Sequence, residues 1–448
     1  MALPTRHMPN ILLVVADDHR QDCLHGDRVT GPATPTLDSL AAQGTECTGA
    51  RIMGGDSQAV CVPSRAALLT GCGSRRALAN PLSADFCERQ RINPNCRTLG
   101  EVLGAAGYRT HVVGKWHNDP GTLNRSFNSG EALFLGGMGA HEAPRLHRYD
   151  ARGNYAPEAA VRTPGFSSEL FAEAAIRFIE KAKPGQAPFF LYCAFTSPHD
   201  PRTPPADFRA RYRDRDLILP ENFLARHPFD NGELAVRDEK LAPLPRDPAT
   251  IRRHRGDYYG MIEHHDHQLG RMLAALEHAG LLEETLIAYV SDHGLALGSH
   301  GLLGKQNLYE HSLRVPLIMK GPGIPDGRLV SQDVYAHRLF ATLCELAGVS
   351  VPETVEVSSL MPLLKGGEKA VADTPLHFAH YFDRQRMVKD ERWKLIQYRV
   401  NGGRREQLFD LRNDPHELRD LASEPAMQTH LTRLATALRN GPPGLTSW

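Results

Sequence analysis

Four short apolar or β-branched runs in this chain each end in a dense polar cluster. They are residues 11–16 before Asp17-Asp18, residues 108–113 before Gly114-Lys115-Trp116-His117, residues 189–195 before Ser197-Pro198-His199-Asp200, and residues 286–290 before Ser291-Asp292-His293-Gly294. Apolar residues without polar alternation suit strands buried on both faces, which is the condition inside a parallel sheet. Helical segments lie between them. Residues 34–44 carry Thr34 as N-cap, Pro35 at the first helical position and a closing Gly44, and Thr98-x-x-Glu101 forms a capping box. Residues 168–181 and 257–278 place apolar side chains at helical spacing, the latter stopping at Gly280. Strands alternating with helices predict an α/β fold with a large mixed, mostly parallel sheet sandwiched by helices. Such sheets bind ligands beyond the carboxyl ends of their strands, so the four clusters are expected to converge on one site.

With 448 residues the chain can form one large domain and an appendage. Residues 1–369 are read as the main α/β domain, with the Pro- and Arg-rich stretch 197–256 as an excursion over the site. Residues 370–448 are read as a smaller α+β subdomain, with strands at 376–382, 393–400 and 407–411 and a helix at 427–438. Basic and acidic residues balance at 52 each, so no global field attracts nucleic acid or an acidic membrane surface. The arginines at 209, 211, 213 and 215 are interrupted by Asp214 and Asp216 and read as a solvated face. The first apolar run is too short to cross a membrane, and no export signal precedes it. With eight cysteines and no C-x-x-C pair, free thiols and a cytoplasmic location are expected, or a periplasmic or secreted one if a signal has been trimmed.

Two adjacent carboxylates at the end of a buried strand repel each other unless a cation neutralises them or the turn is solvated. Asp292-His293 offers a second such pair, so two strand ends together favour a divalent metal. The stretch Cys61-Val62-Pro63-Ser64-Arg65 places Cys61 at a helix N-terminus, because Pro63 suits a first turn. On the residues alone Cys61 is either a low-pKa thiolate beside Arg65 or one more buried free cysteine.

Residues 61–71 fit C-x-P-S-R-x-x-x-L-T-G, which resembles the maturation signature of the type I sulfatases in the alkaline phosphatase superfamily. The resemblance runs from about residue 10 to 323 and resumes at 408–417. It implies that a maturation enzyme oxidises Cys61 to formylglycine, whose hydrate supplies the nucleophile. It also implies a metal shell of Asp17, Asp18, Asp292 and His293 completed by modified Cys61, usually around calcium. Lys115 and His117 match the family's G-K-x-H element, His199 its S-P-H element, and Lys305 the lysine after the D-H-G strand. By the same resemblance Lys115, Lys305 and Arg65 compensate the sulfuryl charge, His199 with Lys305 protonates the leaving alcohol, and His117 takes a proton from the hydrate. Arg65 would also hold the hydrate and the metal shell in place. Cys72-Gly73 follows Gly71 where the family commonly has Arg, and His293 stands where many arylsulfatases carry Asn. A nitrogen ligand keeps magnesium and manganese in view beside calcium.

The implied activity is a sulfuric ester hydrolase acting on a small polar alcohol, a sulfated carbohydrate. Candidate substrate contacts are Asp119, His141, Arg145, Arg202, His380 and Arg384, which can equally be solvated loop residues. A choline-sulfatase-like enzyme would want an aromatic cage, and the chain has only three tryptophans. The rivals are a phosphonate or phosphate ester hydrolase of the same superfamily and a non-catalytic sulfate-ester binder. Glu310 and Arg314 are expected to form a structural ion pair, and Asp266 to be a structural acid.

Overall fold

A computed structural model describes residues 8–79, 90–212, 217–366 and 376–442. Its main sheet contains β1 (Asn10–Ala16), β2 (Thr45–Cys47), β3 (Arg109–Lys115), β4 (Ser129–Phe134), β5 (Phe189–Ala194), β6 (Thr285–Ser291), β7 (Leu317–Lys320) and β8 (Arg328–Val330). The strand order is β8-β2-β7-β6-β1-β5-β3-β4. Only β7 runs against the others, pairing antiparallel with both β6 and β2. The sheet is therefore mixed and mostly parallel. The four strands that carry polar clusters are contiguous at its centre, in the order β6-β1-β5-β3.

Side chains on these strands alternate between two cores. Ile11, Leu13 and Val15 of β1 join Phe190 and Tyr192 of β5 on one face, while Leu12 and Val14 join Phe189 and Leu191 on the other. The first face is covered by α2 (Cys61–Thr70), α3 (Leu99–Ala105) and α7 (Leu339–Ala347), the second by α1 (Pro35–Ala42), α5 (Ser167–Glu180) and α6 (Pro248–His278). Between α3 and α5 lies the short α4 (Pro120–Ser126). Helices on both faces explain why β1, β5 and β6 read as nearly continuous apolar runs.

A second, antiparallel sheet is built from β9 (His377–Tyr381), β10 (Gln385–Lys389), β11 (Trp393–Val400) and β12 (Gly403–Asp410), with Leu434 and Leu438 of α8 (Gln428–Arg439) packed in its core. It gains an edge from Gly54–Gly55, which pairs parallel with β9 just ahead of α2. Glycine is required here: Gly54 has φ 70°, and a Cβ on it would lie 2.1 Å from the His380 carbonyl oxygen. This pairing ties the smaller sheet to the segment that delivers Cys61.

Several expectations change. The helix expected from 257 begins at Pro248, with Asp247 capping it through the Thr250 N–H at 2.8 Å, so residues 248–256 leave the excursion. Thr34 makes no capping hydrogen bond; Asp266 of α6 instead accepts from Thr36 N and Leu37 N at 3.0 and 2.8 Å, which confirms it as a structural acid. Glu310 and Arg314 do not pair, because the helix between them ends at Leu313 and Arg314 leaves extended. Glu310 is held by Arg51 and Lys394, and Arg314 donates to the Thr48 carbonyl. Arg209 and Arg211 pair with Asp257 and Glu263, while residues 213–216, Cys87 and the expected boundary at 369/370 lie outside the described residues. No described helix is long and apolar enough to cross a membrane.

Buried histidines make the fold acid-sensitive. Burial lowers the pKa of His111, His300 and His377 to about 4 and that of His337 to about 3. They stay neutral in the fold while the unfolded chain takes up protons near pH 6.5, so stability is complete above that pH and is lost as pH falls toward 4. Each contributes a slope of about 1.4 kcal/mol per pH unit inside that window. Calorimetry should show Tm falling steeply from pH 6.5 to 5; a flat Tm would overturn this account.

Candidate active site

Parallel pairing of β1 with β6 aligns Ala16 with Ser291, so Asp17 and Asp292 leave adjacent strands side by side. Asp292 N donates to the Ala16 carbonyl and Asp17 N to the Ser197 carbonyl, each at 3.1 Å, which extends the pairing one residue past the strands. Asp18 turns away with φ 71°, a left-handed conformation uncommon outside glycine, and its N–H reaches Asp292 Oδ1 at 3.3 Å. Cys61 enters from α2. Its Sγ lies 3.6 Å from Asp17 Oδ1, 3.3 Å from His293 Nε2, 3.6 Å from Lys305 Nζ and 3.9 Å from Lys115 Nζ.

Three carboxylates and three cations interlock around this sulfur. Lys115 pairs with Asp17, Lys305 with Asp18 at 2.9 Å, and Arg65 with Asp292 at 2.7 Å and Asp17 at 3.8 Å. Arg65, Lys115, Asp17 and Asp292 are fully buried. Burial alone would raise the Asp17 and Asp18 pKa values, but Lys115, His199 and Arg65 around Asp17, and Lys305, His199 and His293 around Asp18, hold both carboxyls well below the usual range. Burial opposes charge on Arg65, yet Asp292, Tyr192 and Asp17 push its pKa up.

The metal-ligating atoms fall into two sets, each with atoms within 4.8 Å of one another: Asp17, Cys61, Asp292 and His293, and Asp17, Asp18 and His199. Carboxylate oxygens with one imidazole suit a hard divalent cation. Arg65 Nη2 is buried without an acceptor, so it keeps a donor for an oxygen the protein does not supply. The donor set therefore fits a metal with an oxygen-bearing group at residue 61.

His199 is 3.9 Å from Asp18 through Nε2, while its Nδ1 donates to the Asp200 carbonyl at 2.7 Å, which fixes the ring. His117 has φ 51° and a buried Nδ1 without a partner; burial and Lys115 lower its pKa well below the ordinary value, so the ring is neutral. A cavity of about 670 Å³ opens over Cys61, His117, His199 and Lys305. Its walls include Gln58, Gln90, Asn118, Arg237, Asp238 and Gln306, none of which the sequence reading singled out. Arg237 and Asp238 do come from the excursion expected to cover the site. Arg237 holds Asp200 through two hydrogen bonds of 2.6 and 2.8 Å.

All the predicted catalytic and metal residues meet here, whereas the substrate candidates largely do not. Asp119 reaches the cavity wall, but its carboxylate caps α4 through Thr122 N at 2.8 Å and accepts from Ile92 N. His141 is buried behind the site, bridging Ser167 Oγ and the His199 carbonyl at 2.8 and 2.9 Å. Arg145 is exposed and donates to the carbonyls of Pro157 and Ala160. Arg202 lies against His254, His380 faces Asp56 at 3.4 Å, and Arg384 pairs with Glu233. None of these last five lines the cavity. Polar groups on segments near the mouth were taken up by caps and ion pairs, a distinction spacing does not carry.

Residues 9–349 match the sulfatase family model. The chain belongs to the sulfatase family. As a member of the alkaline phosphatase superfamily it is a sulfuric ester hydrolase, and the family implies a metal ion and a formylglycine. Residues 298–441 also match a model described as N-sulphoglucosamine sulphohydrolase, C-terminal. The sulfatase is 28% identical to an arylsulfatase of Clostridium perfringens, over 96% of this chain and 93% of that protein. It is likewise 28% identical to a multifunctional alkaline phosphatase superfamily protein of Trinickia caryophylli, over 98% and 99%. A structure solved in complex with its substrate D-glucosamine-2-N,6-O-disulfate has a TM-score of 0.80 at 22% identity and covers 97% of each chain. The phosphonate monoester hydrolase of Agrobacterium radiobacter has a TM-score of 0.76 at 23% identity, over 96% of this chain and 95% of that one. At these identities the two structures share the fold.

Proposed function

We propose that this sulfatase removes sulfate from a sulfated carbohydrate, with Cys61 as the residue a maturation enzyme converts to formylglycine. The observation that carries the reading is the position of Cys61 Sγ, in contact with Asp17, His293, Lys305 and Lys115 on the floor of a cavity walled by amides and charged groups. Hydroxyl-rich ligands need such donors and acceptors. An N-acetylglucosamine-6-O-sulfatase of Bacteroides thetaiotaomicron, 25% identical over 92% of this chain, supports the substrate class.

Formylglycine hydrate supplies a nucleophilic hydroxyl and a second hydroxyl through which sulfate can later be released. Asp17, Asp18, Asp292, His293 and residue 61 would hold calcium, which when bound supplies Lewis-acid stabilisation of oxygen charge. Lys115, Lys305 and Arg65, all buried, present fixed positive charge to the sulfuryl oxygens, and burial strengthens its effect. His199, its ring fixed by the Asp200 carbonyl, keeps Nε2 free to protonate the leaving oxygen, with Lys305 beside it. Neutral His117 can accept a proton at Nδ1. His141 positions His199 from behind through its carbonyl.

Turnover of matched sulfate, phosphate monoester, phosphate diester and phosphonate esters by matured enzyme tests the reaction, and sulfated sugars against choline sulfate test the alcohol. The sulfated sugar should give the highest kcat/KM; a preference for phosphorus would reassign the enzyme to ester hydrolysis at that centre. Chelation should remove activity and lower Tm by several degrees, because Asp17, Asp18 and Asp292 lose a counter-charge. Calcium should restore both at lower concentration than magnesium or manganese; recovery with manganese alone would overturn the calcium assignment.

A further inference from the structure

Cys72 and Cys96 take no part in the chemistry above, yet their Sγ atoms lie 3.6 Å apart, in van der Waals contact. Both side chains are buried in the core under α2 and α3. Gly71 ends α2 in a left-handed cap, φ 65°, with its N–H on the Ala67 carbonyl at 2.8 Å, and this turn returns Cys72 to the core. Cys96 stands just ahead of the Thr98 cap of α3, with its N–H on the Asn93 carbonyl at 2.9 Å. The chain between the two cysteines is closed at its base without the sulfurs. Asn93 N donates to the Ala77 carbonyl at 2.8 Å and Ala79 N to the Arg91 carbonyl at 2.9 Å.

We propose that Cys72 and Cys96 are the site of an intramolecular disulfide, formed by exchange with a small-molecule disulfide such as oxidised glutathione while the chain folds. The Cys72 thiolate attacks one glutathione sulfur, forming a mixed disulfide and expelling one glutathione thiolate. The Cys96 thiolate then attacks Cys72 Sγ and expels the second. The two cysteines together lose two electrons, oxidised glutathione gains them, and the two thiol protons end on the two glutathiones. Closing from contact to a bond of about 2.05 Å needs only a small side-chain movement, since the loop ends are already paired. Once folded, burial and then the neighbouring Cys96 raise the Cys72 pKa to about 12, so the thiolate is scarce and exchange belongs to the folding stage.

The bond would also anchor a wall of the substrate cavity. The closed loop contains Gln90, which lines that cavity and donates to the Asp56 carbonyl at 2.6 Å, and Arg75, which pairs with Asp56 at 2.8 Å. The disulfide thus fastens the segment that α2 and the smaller sheet already hold from the other side.

The test is to refold the full chain in a mixture of reduced and oxidised glutathione, block free thiols, digest without reductant and map the peptides by mass. The expected result is one peptide pair joined through Cys72 and Cys96 and lighter by two hydrogens than the separate peptides. Tm should be about 3–4 °C higher than in reduced protein, a shift that reductant abolishes and that Cys96→Ser does not show. Folded wild-type protein with both cysteines blocked, or with either joined to Cys87, would overturn the proposal, and that map needs no variant to fold.

Discussion

Replacing Cys61 with alanine is expected to abolish multiple turnover, lowering kcat by at least about 10⁴-fold. The loss should be one of chemistry and not of folding. Cys61 is buried at the start of α2, its side chain is small, and the ion pairs around it run between other residues. Tm should therefore shift by less than about 3 °C, within the cost of a single small truncation. Cys61→Ser should be equally dead in turnover, because a serine hydroxyl replaces the nucleophile without the second hydroxyl that release of sulfate requires. Steady-state kinetics with matured protein, alongside the mass of the peptide spanning residue 61, gives the answer. A variant retaining a tenth of the activity would move the nucleophile elsewhere.

Arg65→Ala should be the most destabilising single change in the site, by about 3–5 kcal/mol in metal-free protein. The guanidinium is fully buried and donates to Asp292 at 2.7 Å with Asp17 at 3.8 Å, so its removal leaves two buried carboxylates short of a counter-charge. It also donates to the Lys115 carbonyl at 3.2 Å, which aligns the strand end bearing the Lys115 ammonium. Denaturant unfolding reads the loss directly. Arg65→Lys restores the charge but not the fork that spans Asp292 and Lys115, so it should recover only part of the stability. A loss below about 1 kcal/mol for Arg65→Ala would show that Asp17 and Asp292 are compensated by Lys115 and the surrounding dipoles alone.

Much of this protein was legible before any coordinate, for a physical reason. Strands buried on both faces are rich in apolar and β-branched residues, and catalytic groups sit where such strands end, so β1, β3, β5 and β6 announced themselves together with Asp17, Lys115, His199 and Asp292. Proline at a first turn likewise marked the start of α2. Strands lacking that signature escaped notice. The edge strand β4 is half-exposed, β2 and β8 are only three residues long, and β10, in the interior of the smaller sheet, mixes Gln, Arg and Lys with Met and Val.

Sequence by itself determined the residue types at the strand ends, the helix start at Cys61 and hence the family chemistry. Only the tertiary structure decided the strand order β6-β1-β5-β3, which makes four separate clusters neighbours, and which polar side chains remained for a substrate. His380, Arg384, Arg202 and Arg145 were spent on Asp56, Glu233, His254 and backbone carbonyls, while Arg237, Asp238, Gln306 and Gln58 reached the cavity. The reason is range. Backbone propensity and hydrophobic period act over a few residues and are written locally, whereas a polar side chain's partner is set by which distant segment packs against it, and that is fixed only when the chain closes.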